Sequence, residues 1–342
     1  MNIFTYDLPP ARIAQRPVHP YDSARLLVAQ RHKRSLHESH FSSLTDSLRP
    51  GDVLVFNDTR VIPARLFGRL PGGGEVEVLL HRKLASDSWR CLGKPLKKLK
   101  PGTVIQFANG LLALAGSRLD QYEIELSFSS THPDKTAAEL LASQGIMPIP
   151  PYIRGGKADD LDIADYQTFF AAREGSVAAP TASLHFTPEL MDRIRALGCE
   201  VRFLTLHVGS ASFLALSENG EGGLVPPGSE RFRPDMELVQ KALAVRAAGG
   251  RVIPVGTTAV RALESMAGAA ADTEFAETEL FITPGYPFKL VDAMFTNFHQ
   301  SGTTHLLLVE AFLGREMLAR AYEHALASDF RFLSYGDGMF LC

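Results

Sequence analysis

Two polar segments with the side chains needed for acid–base chemistry lie close together near the middle of the chain. The first, AAPTASLHF, contains Thr181 and His185, and the second, TLHVG, contains His207. An unperturbed histidine titrates nearest to neutral pH, so each imidazole could accept or donate a proton. A single such histidine more often caps a turn. Two of them, at the ends of two consecutive predicted strands, favour a site.

Polar groups also follow other predicted strands. Ligands of α/β folds bind beyond the carboxyl ends of the strands, so we expect these groups to meet in one pocket. None of them has the spacing of a metal site, which points to acid–base chemistry on an organic substrate without a metal. They are Asp58, Thr59 and Arg60 after the strand at 52–57, Gly256, Thr257 and Thr258 after the strand at 251–255, and Asn297 and His299 at the end of the stretch 293–298.

Helices and strands alternate around these groups. Thr187 is a natural N-cap with Pro188 at the first helical position, and apolar residues at helical spacing continue to Gly198. Further helices are predicted over 164–173, 236–248 and 259–266, and a strand is predicted over 279–283. This alternation predicts an α/β fold.

Between residues 65 and 128 the pattern changes to six short strands separated by turn residues. The stretches are 66–70, 75–82, 88–93, 103–108, 111–116 and 121–128. Such a rhythm without helices predicts a small antiparallel β-barrel inserted into the α/β part. A run of lysines between two of these strands is either a solvated loop or a contact to a phosphate backbone, and it comprises Lys94, Lys97, Lys98 and Lys100.

Length and composition suggest the general class. A chain of 342 residues with 45% apolar residues predicts about two globular domains. The three cysteines are far apart and form no CxxC pair, which argues against a zinc–thiolate site and a disulfide framework. No apolar run is long enough for a membrane span or a signal peptide. We therefore expect a soluble cytoplasmic protein that does not bind a membrane.

Charge is distributed unevenly along the chain. Residues 1–100 hold 17 Lys and Arg against 9 Asp and Glu, whereas the remainder holds 18 against 29. A basic N-terminal third beside an acidic remainder suggests an anionic partner that touches part of the protein.

Several common enzyme motifs are absent from the sequence. There is no GxGxxG after a strand, no GxxxxGK[ST], no HExxH and no GxSxG. These absences argue against a dinucleotide-binding Rossmann enzyme, a P-loop enzyme, a zinc peptidase and an α/β-hydrolase.

Six longer motifs resemble one enzyme family along the whole chain. They are FNDTRVIPARLFG (56–68), AAPTASLHF (178–186), TLHVG (205–209), RVIPVGTTAVRALES (251–265), LFITPGYPFKLVDAMFTNFH (280–299) and FRFLSYGDGMF (330–340). Together they resemble the S-adenosylmethionine:tRNA ribosyltransferase-isomerases of queuosine biosynthesis.

The resemblance implies a fold and a reaction. The fold would be a barrel-like α/β catalytic domain, discontinuous over 1–60 and 153–342, with a β-barrel domain inserted at 61–152. The enzyme would transfer the ribosyl part of S-adenosylmethionine to 7-aminomethyl-7-deazaguanine at the tRNA wobble position. The product would be epoxyqueuosine-tRNA, with release of adenine and methionine. The expected partners are S-adenosylmethionine and the tRNA anticodon arm, and we expect a monomer.

That reaction needs a base for the proton next to the sulfonium, a donor that helps adenine leave, and groups that hold the sulfonium and the methionine carboxylate. Arg60 and Arg261 are candidates for the carboxylate, together with the turn at 256–258. The catalytic candidates are His185, His207, His299 and Asp337. The other substrate-binding candidates are Asp58, Thr59, Thr181, Gly256, Thr257, Thr258, Glu264, Asp292, Asn297 and Tyr335.

The sequence departs from the family's pattern at four places. Ser183 stands where the family has Gly, residues 209–213 replace G-x-G-T-F, and residues 300–301 replace Leu-Pro. Residues 225–230 stand where the family has two histidines in H-x-M-H-S-E. If those histidines matter, His305 is a candidate for their role.

Two alternatives therefore stay open beside the main interpretation. One is a divergent paralogue that uses S-adenosylmethionine on another acceptor, which the lost histidines favour. The other is a non-catalytic RNA-binding descendant, which the retained His185, His207 and His299 speak against.

Overall fold

The computed structural model describes residues 3–209, 228–268 and 273–342. The strands in this part of the chain are β1 Arg25–Gln30, β2 Ser35–His40, β3 Val53–Asn57, β4 Thr59–Val61, β5 Arg65–Arg69, β6 Glu75–Lys83, β7 Ser88–Lys94, β8 Val104–Gln106, β9 Leu111–Arg118, β10 Glu123–Ser130, β11 Arg173–Ser176, β12 Glu200–Leu204, β13 Leu206–His207, β14 Glu230–Phe232, β15 Val252–Pro254, β16 Ala276–Thr278, β17 Met294–Asn297 and β18 Gly338–Leu341.

The α-helices are α1 Ala137–Gln144, α2 Asp162–Asp165, α3 Pro188–Ala196, α4 Met236–Ala247, α5 Thr257–Met266, α6 Thr304–Leu313 and α7 Arg315–Ala327. Short 3₁₀ helices include Phe41–Ser47, Leu96–Lys98 and Thr181–His185. Within the described ranges, no helix combines the length and the apolar character that a membrane crossing requires.

Strands β5 to β10 form a closed barrel in the order β10-β7-β6-β5-β8-β9, and every neighbouring pair is antiparallel. Its interior includes Val78, Cys91 and Leu126, all fully buried. At Gly68 a Cβ atom would lie 2.7 Å from Ile105 Cγ2, so the close approach of β5 and β8 requires glycine there. The predicted α/β fold with an inserted antiparallel barrel is confirmed. The domain limits at 61 and 152 stay a prediction.

The larger part of the chain brings several strand ends to one edge. Strands β12, β3 and β15 are parallel neighbours, with β3 in the middle. A parallel bridge between Val255 and Phe295 continues this order to β17, which pairs with β18, and β1 and β2 follow. Because β3, β12, β15 and β17 run in the same direction, the chain leaves all four at the same edge of the sheet. This geometry places the polar groups after them near one another.

The helix predicted after Thr187 begins as expected. The Thr187 side chain accepts a hydrogen bond from the Leu190 amide at 3.2 Å, and Pro188 is the first residue of α3. The helix buries Leu190, Met191 and Ile194 against the core. Local sequence signals were sufficient to predict this helix, because the N-cap, the proline at the first helical position and the spacing of the apolar residues all agree.

Two predicted elements are wrong. The helix expected over 164–173 is only the four-residue α2, and the chain then becomes β11, which pairs in parallel with β4. The strand expected over 279–283 lies earlier, as β16, which pairs with β14. In both cases pairing with a strand distant in sequence decides the local conformation, and a short apolar pattern does not reveal it.

Candidate active site

A cavity of about 420 Å³ opens at the edge where β3, β15 and β17 end. Its walls come from seven parts of the chain: residues 150–152, Tyr166, 178–182, Val208, the start of α5, the segment 296–305 from the end of β17 to the start of α6, and residues 333–334. Six of the residues that the sequence singled out line it, namely Thr181, Gly256, Thr257, Thr258, Asn297 and His299. Converging strand ends thus build a cavity large enough for a small organic molecule.

The start of α5 presents unpaired donors to the cavity. Gly256 has a φ of +94°, a conformation that favours glycine, and its carbonyl accepts the first intrahelical bond from Val260 at 3.1 Å. The amides of Thr257, Thr258 and Ala259 precede that bond, so helix geometry gives them no intrahelical acceptor. Such a helix start binds anionic oxygen atoms well.

Thr257 adds a hydroxyl to these amides. Its side chain is only 5% exposed, lines the cavity, and makes no hydrogen bond within the residues that the structure describes. The hydroxyl of the next residue, Thr258, is 3.4 Å from Asn57 Nδ2, and this asparagine also binds both backbone groups of Leu206. Asn57 therefore connects the end of β3 to β13 and to the start of α5.

Two histidines line the same cavity with stacked rings. The ring centroids of His299 and His305 are 5.3 Å apart and the planes differ by 19°. Burial, followed by the positive charge of Arg261, lowers the pKa of His305 to about 4. Burial also holds the pKa of His299 well below its usual range. Both imidazoles are therefore neutral at pH 7.

His185 lies behind the cavity wall. Its Nε2 atom is 3.2 Å from Asn297 Nδ2, and its ring stacks on Phe41 at 4.2 Å. The Asn297 amide oxygen in turn accepts from the Thr181 hydroxyl at 3.2 Å. Burial, with Arg331 as a second cause, lowers the pKa of His185 to about 3. The imidazole thus holds a polar wall residue and does not itself line the cavity.

His207 lies beside the cavity, and its neighbour Val208 lines it. The His207 Nδ1 atom is 2.9 Å from Thr59 Oγ1, which donates to Ser176 Oγ at 2.8 Å. Burial, Arg231 and Arg173 lower the pKa of His207 to about 4.

Asp58 and Arg60 also lie outside the cavity wall. The Asp58 carboxylate accepts from the Thr205 hydroxyl at 2.6 Å and is 3.9 Å from Arg173, and burial raises its pKa. Arg60 is exposed on β4 and donates to the Ala171 carbonyl at 3.2 Å.

Five further candidates have partners that hold the fold together. Buried Glu264 accepts from the amides of Lys289 and Leu290, and Asp292 accepts from the Val252 amide at 3.0 Å and pairs with Arg246. The remaining three are similarly engaged: Arg261 pairs with buried Glu230, Tyr335 donates to Asp162, and Asp337 accepts from the amides of Arg25 and Arg331.

The four lysines lie on the barrel. Lys94 ends β7, Lys97 and Lys98 belong to the 3₁₀ helix Leu96–Lys98, and Lys100 follows. All four side chains are exposed, whereas Leu99 between them is buried. Leu99 therefore anchors the run to the barrel and leaves the charges in solvent.

Other expectations fall outside the described residues or stay untested. Residues 210–213 and 225–227, which include parts of two of the four departures from the family's pattern, lie outside the described ranges. Among the residues that the structure describes, no three His, Cys, Asp or Glu side chains form a group that could hold a metal ion. The expectation that no metal is needed stays a prediction.

Some of the residues that line the cavity have no strong signal in the sequence. Tyr152 and Tyr166, from the connector region, line it although no motif marks them, and Thr296 lies directly before Asn297. His305 was considered only as a substitute for histidines elsewhere. Its position, six residues after His299 and at the start of α6, was the one signal that it lies at the cavity.

The chain is similar to known proteins along almost its whole length. A sequence model of the family described as "Queuosine biosynthesis protein" matches residues 1–341. The S-adenosylmethionine:tRNA ribosyltransferase-isomerase of Caulobacter vibrioides (strain NA1000 / CB15N) is 45% identical over 362 aligned positions, covering 100% of this chain and 98% of the relative. The enzyme of the same name from Rhodospirillum rubrum is 44% identical, with 100% and 97% covered.

A solved structure is similar as well. The crystal structure of an S-adenosylmethionine tRNA ribosyltransferase from Thermotoga maritima has 32% sequence identity and a TM-score of 0.55. The alignment covers 99% of each chain.

Proposed function

Because the chain belongs to the queuosine biosynthesis protein family, we propose that the cavity at the strand ends is where it binds S-adenosylmethionine. The chain is an S-adenosylmethionine-dependent tRNA ribosyltransferase-isomerase. It transfers and isomerises the ribosyl moiety onto 7-aminomethyl-7-deazaguanine in tRNA, giving epoxyqueuosine-tRNA and releasing adenine and methionine. The relatives named above favour neither the paralogue nor the non-catalytic alternative.

The start of α5 is our proposed site for the carboxylate of the methionine part. The observation that carries this assignment is the Thr257 hydroxyl, which lines the cavity without a hydrogen-bond partner among the described residues, beside the amides of the first helical turn. A carboxylate accepts hydrogen bonds only, so it matches a group of donors without acceptors. In this arrangement Arg261, which is already paired with Glu230, contributes positive potential from behind the wall.

Another part of the cavity wall suits the less polar parts of the molecule. Pro150, Pro151, Tyr152 and Tyr166 line it. The Tyr152 hydroxyl pairs with Ser334 Oγ at 2.7 Å, which holds the ring at the cavity wall. We place the sulfonium and the purine against this aromatic wall, because a cation is attracted to aromatic faces and a purine stacks on them.

Replacing Thr257 tests the carboxylate assignment. Thr257→Val keeps the side-chain shape but removes the donor, and a hydrogen bond to a charged group contributes about 1.5–3 kcal/mol. We expect S-adenosylmethionine to bind about 10–100-fold more weakly by calorimetry, and Thr257→Ser to retain most of the affinity. Titrations with and without EDTA would also test whether a metal takes part. Equal affinity of Thr257→Val and the unchanged protein would contradict the assignment.

The barrel is the proposed contact for the tRNA anticodon arm. Its exposed lysines, Lys94, Lys97, Lys98 and Lys100, carry four positive charges on a short segment. The barrel also contacts the α/β part directly, since Arg82 on β6 pairs with Glu277 on β16 at 2.7 Å. Lys94 pairs in register with Glu77, five residues before Arg82 on β6, so RNA bound to the lysines would lie towards the other end of that strand from this contact.

Removal of the lysine charges tests this contact. Each phosphate contact releases counterions and contributes about 0.7–0.9 to the slope of log affinity against log salt concentration. We expect the variant with all four lysines changed to Ala to bind tRNA more weakly and to lower the slope by about 3. The double variant Lys33→Ala/Lys135→Ala, in exposed lysines outside the run, is the control. An unchanged slope in the fourfold variant would mean that the run is only a solvated loop.

A further inference from the structure

His305 and His299 contribute imidazoles to the same cavity, but their surroundings differ. His299 Nε2 is 2.6 Å from Thr296 Oγ1. The backbone of His299 is held on both sides, since its amide donates to Tyr322 Oη at 2.8 Å and its carbonyl accepts from Tyr6 Oη at 2.5 Å. This histidine is therefore fixed in place by the fold.

His305 has a fixed backbone and free ring nitrogens. It is the second residue of α6, whose N-cap Thr303 accepts from the Leu306 amide at 3.4 Å. Within the described part of the chain its ring nitrogens make no hydrogen bond, and its ring is held by stacking on His299. A half-buried imidazole in this position offers one N–H group and one lone pair to a molecule in the cavity.

The charges that face His305 favour its neutral form. Arg261 on α5 lies beside it in a small recess next to the main cavity, and the neutral ring of His299 covers one of its faces. The guanidinium of Arg261 is paired with buried Glu230, so the carboxylate offsets only part of its effect. Burial and Arg261 together lower the pKa of His305 to about 4, which leaves a base at neutral pH.

We propose that His305 is a catalytic residue that carries the proton during ribosyl transfer, an inference that rests on the proposed binding of S-adenosylmethionine in this cavity. The lone pair of the His305 imidazole takes a proton from the ribose carbon bonded to the sulfonium. The electron pair of that C–H bond stays on the carbon, which the adjacent positive sulfur stabilises. His305 becomes an imidazolium ion.

The same proton leaves with adenine. The electron pair of the carbanion forms a double bond to the adjacent ring carbon, whose bond to the ring oxygen breaks. The ring oxygen forms a carbonyl double bond to the sugar carbon that carries adenine, and the electron pair of the bond to adenine moves to the purine nitrogen. The imidazolium returns its proton to the purine, which departs as neutral adenine, and His305 is neutral again. His299 is a positioning residue in this scheme, because its stacked ring and its bond to Thr296 hold His305 towards the cavity.

The experiment compares adenine release by His305→Ala, His305→Gln and the unchanged protein in single-turnover reactions with S-adenosylmethionine and substrate tRNA. General acid–base assistance is worth about 10²–10⁴-fold, so both variants should release adenine more slowly by such a factor. Calorimetric affinity for S-adenosylmethionine should change less than about threefold, and added imidazole should partly restore His305→Ala. His32→Ala, which removes an exposed imidazole in the turn between β1 and β2, outside the cavity, should stay near the unchanged rate.

Other results would overturn the inference. A rate within about threefold of the unchanged protein, or a loss matched by weaker binding of S-adenosylmethionine and a lower melting temperature, would show that His305 is not the proton carrier. If the unchanged protein releases no adenine, the proposed function fails and this inference fails with it. The two failures are distinguishable because the first leaves the unchanged protein active.

Discussion

Lowering the pH from 7 to 5 is expected to remove much of the stability of this protein. Burial lowers the pKa of His185 to about 3 and of His207 and His305 to about 4, and it lowers the pKa of His299 as well. In the unfolded chain each imidazole titrates near 6.5. Between pH 6.5 and 4 the unfolded state therefore binds more protons, and the free energy of unfolding decreases as the pH falls.

The size of this decrease in the free energy of unfolding follows from the number of buried histidines. Each should contribute on the order of 1–2 kcal/mol at pH 5, because one pKa unit corresponds to about 1.4 kcal/mol. The sum is comparable to the whole stability of a typical domain, about 5–15 kcal/mol. Carboxylates with lowered pKa values, such as Glu200 and Glu277, contribute only when the pH falls below about 4.5. Their effect therefore occupies a separate pH range.

Urea unfolding at pH 7.5, 6.5, 5.5 and 5.0 would measure this dependence. We expect His185→Gln to reduce the pH slope by about one proton. His32→Gln, at an exposed position in the turn between β1 and β2, is the matched control. A free energy of unfolding that is constant between pH 6.5 and 5 would contradict the expectation.

Replacement of Asp162 by Ala is expected to cost about 3 kcal/mol or more. The Asp162 side chain is fully buried and accepts from Tyr335 Oη at 2.9 Å and from the Asp159 amide at 2.8 Å. It also pairs with Arg154 and, at 3.3 Å, with Arg16. Removing one partner of a buried ion pair leaves the other partners unsatisfied, and such changes typically cost about 3–5 kcal/mol.

Binding should weaken in the same variant. Ser334, next to Tyr335, and Tyr166, just after α2, both line the cavity. Loss of Asp162 releases both walls, so we expect weaker binding of S-adenosylmethionine together with a lower melting temperature. Asp159→Ala is the matched control, since Asp159 contacts the same Arg16 at an exposed position and should destabilise the protein far less than Asp162→Ala. Equal stability of the two variants would show that Asp162 has no special role.

The elements that could be predicted from the sequence are those whose local sequence signals agree with one another. The barrel strands follow from alternating patterns bounded by glycine and proline turns, and α3 follows from Thr187, Pro188 and apolar spacing. These elements depend on interactions between residues close in sequence or on repeated patterns. The short strand β11 does not, because its hydrogen bonds go to β4, more than a hundred residues earlier.

The sequence by itself determined the family, the fold class and the set of polar groups that follow the strands. Only the tertiary structure decided which of these groups share a cavity. His207 ends β13 and Val208 follows it, yet only Val208 lines the cavity, so one position along the chain separates the histidine from the cavity wall. His305 reaches the wall from a different element because α6 begins at that edge. Such placement depends on contacts between distant segments, for which residue types and local spacing carry no signal.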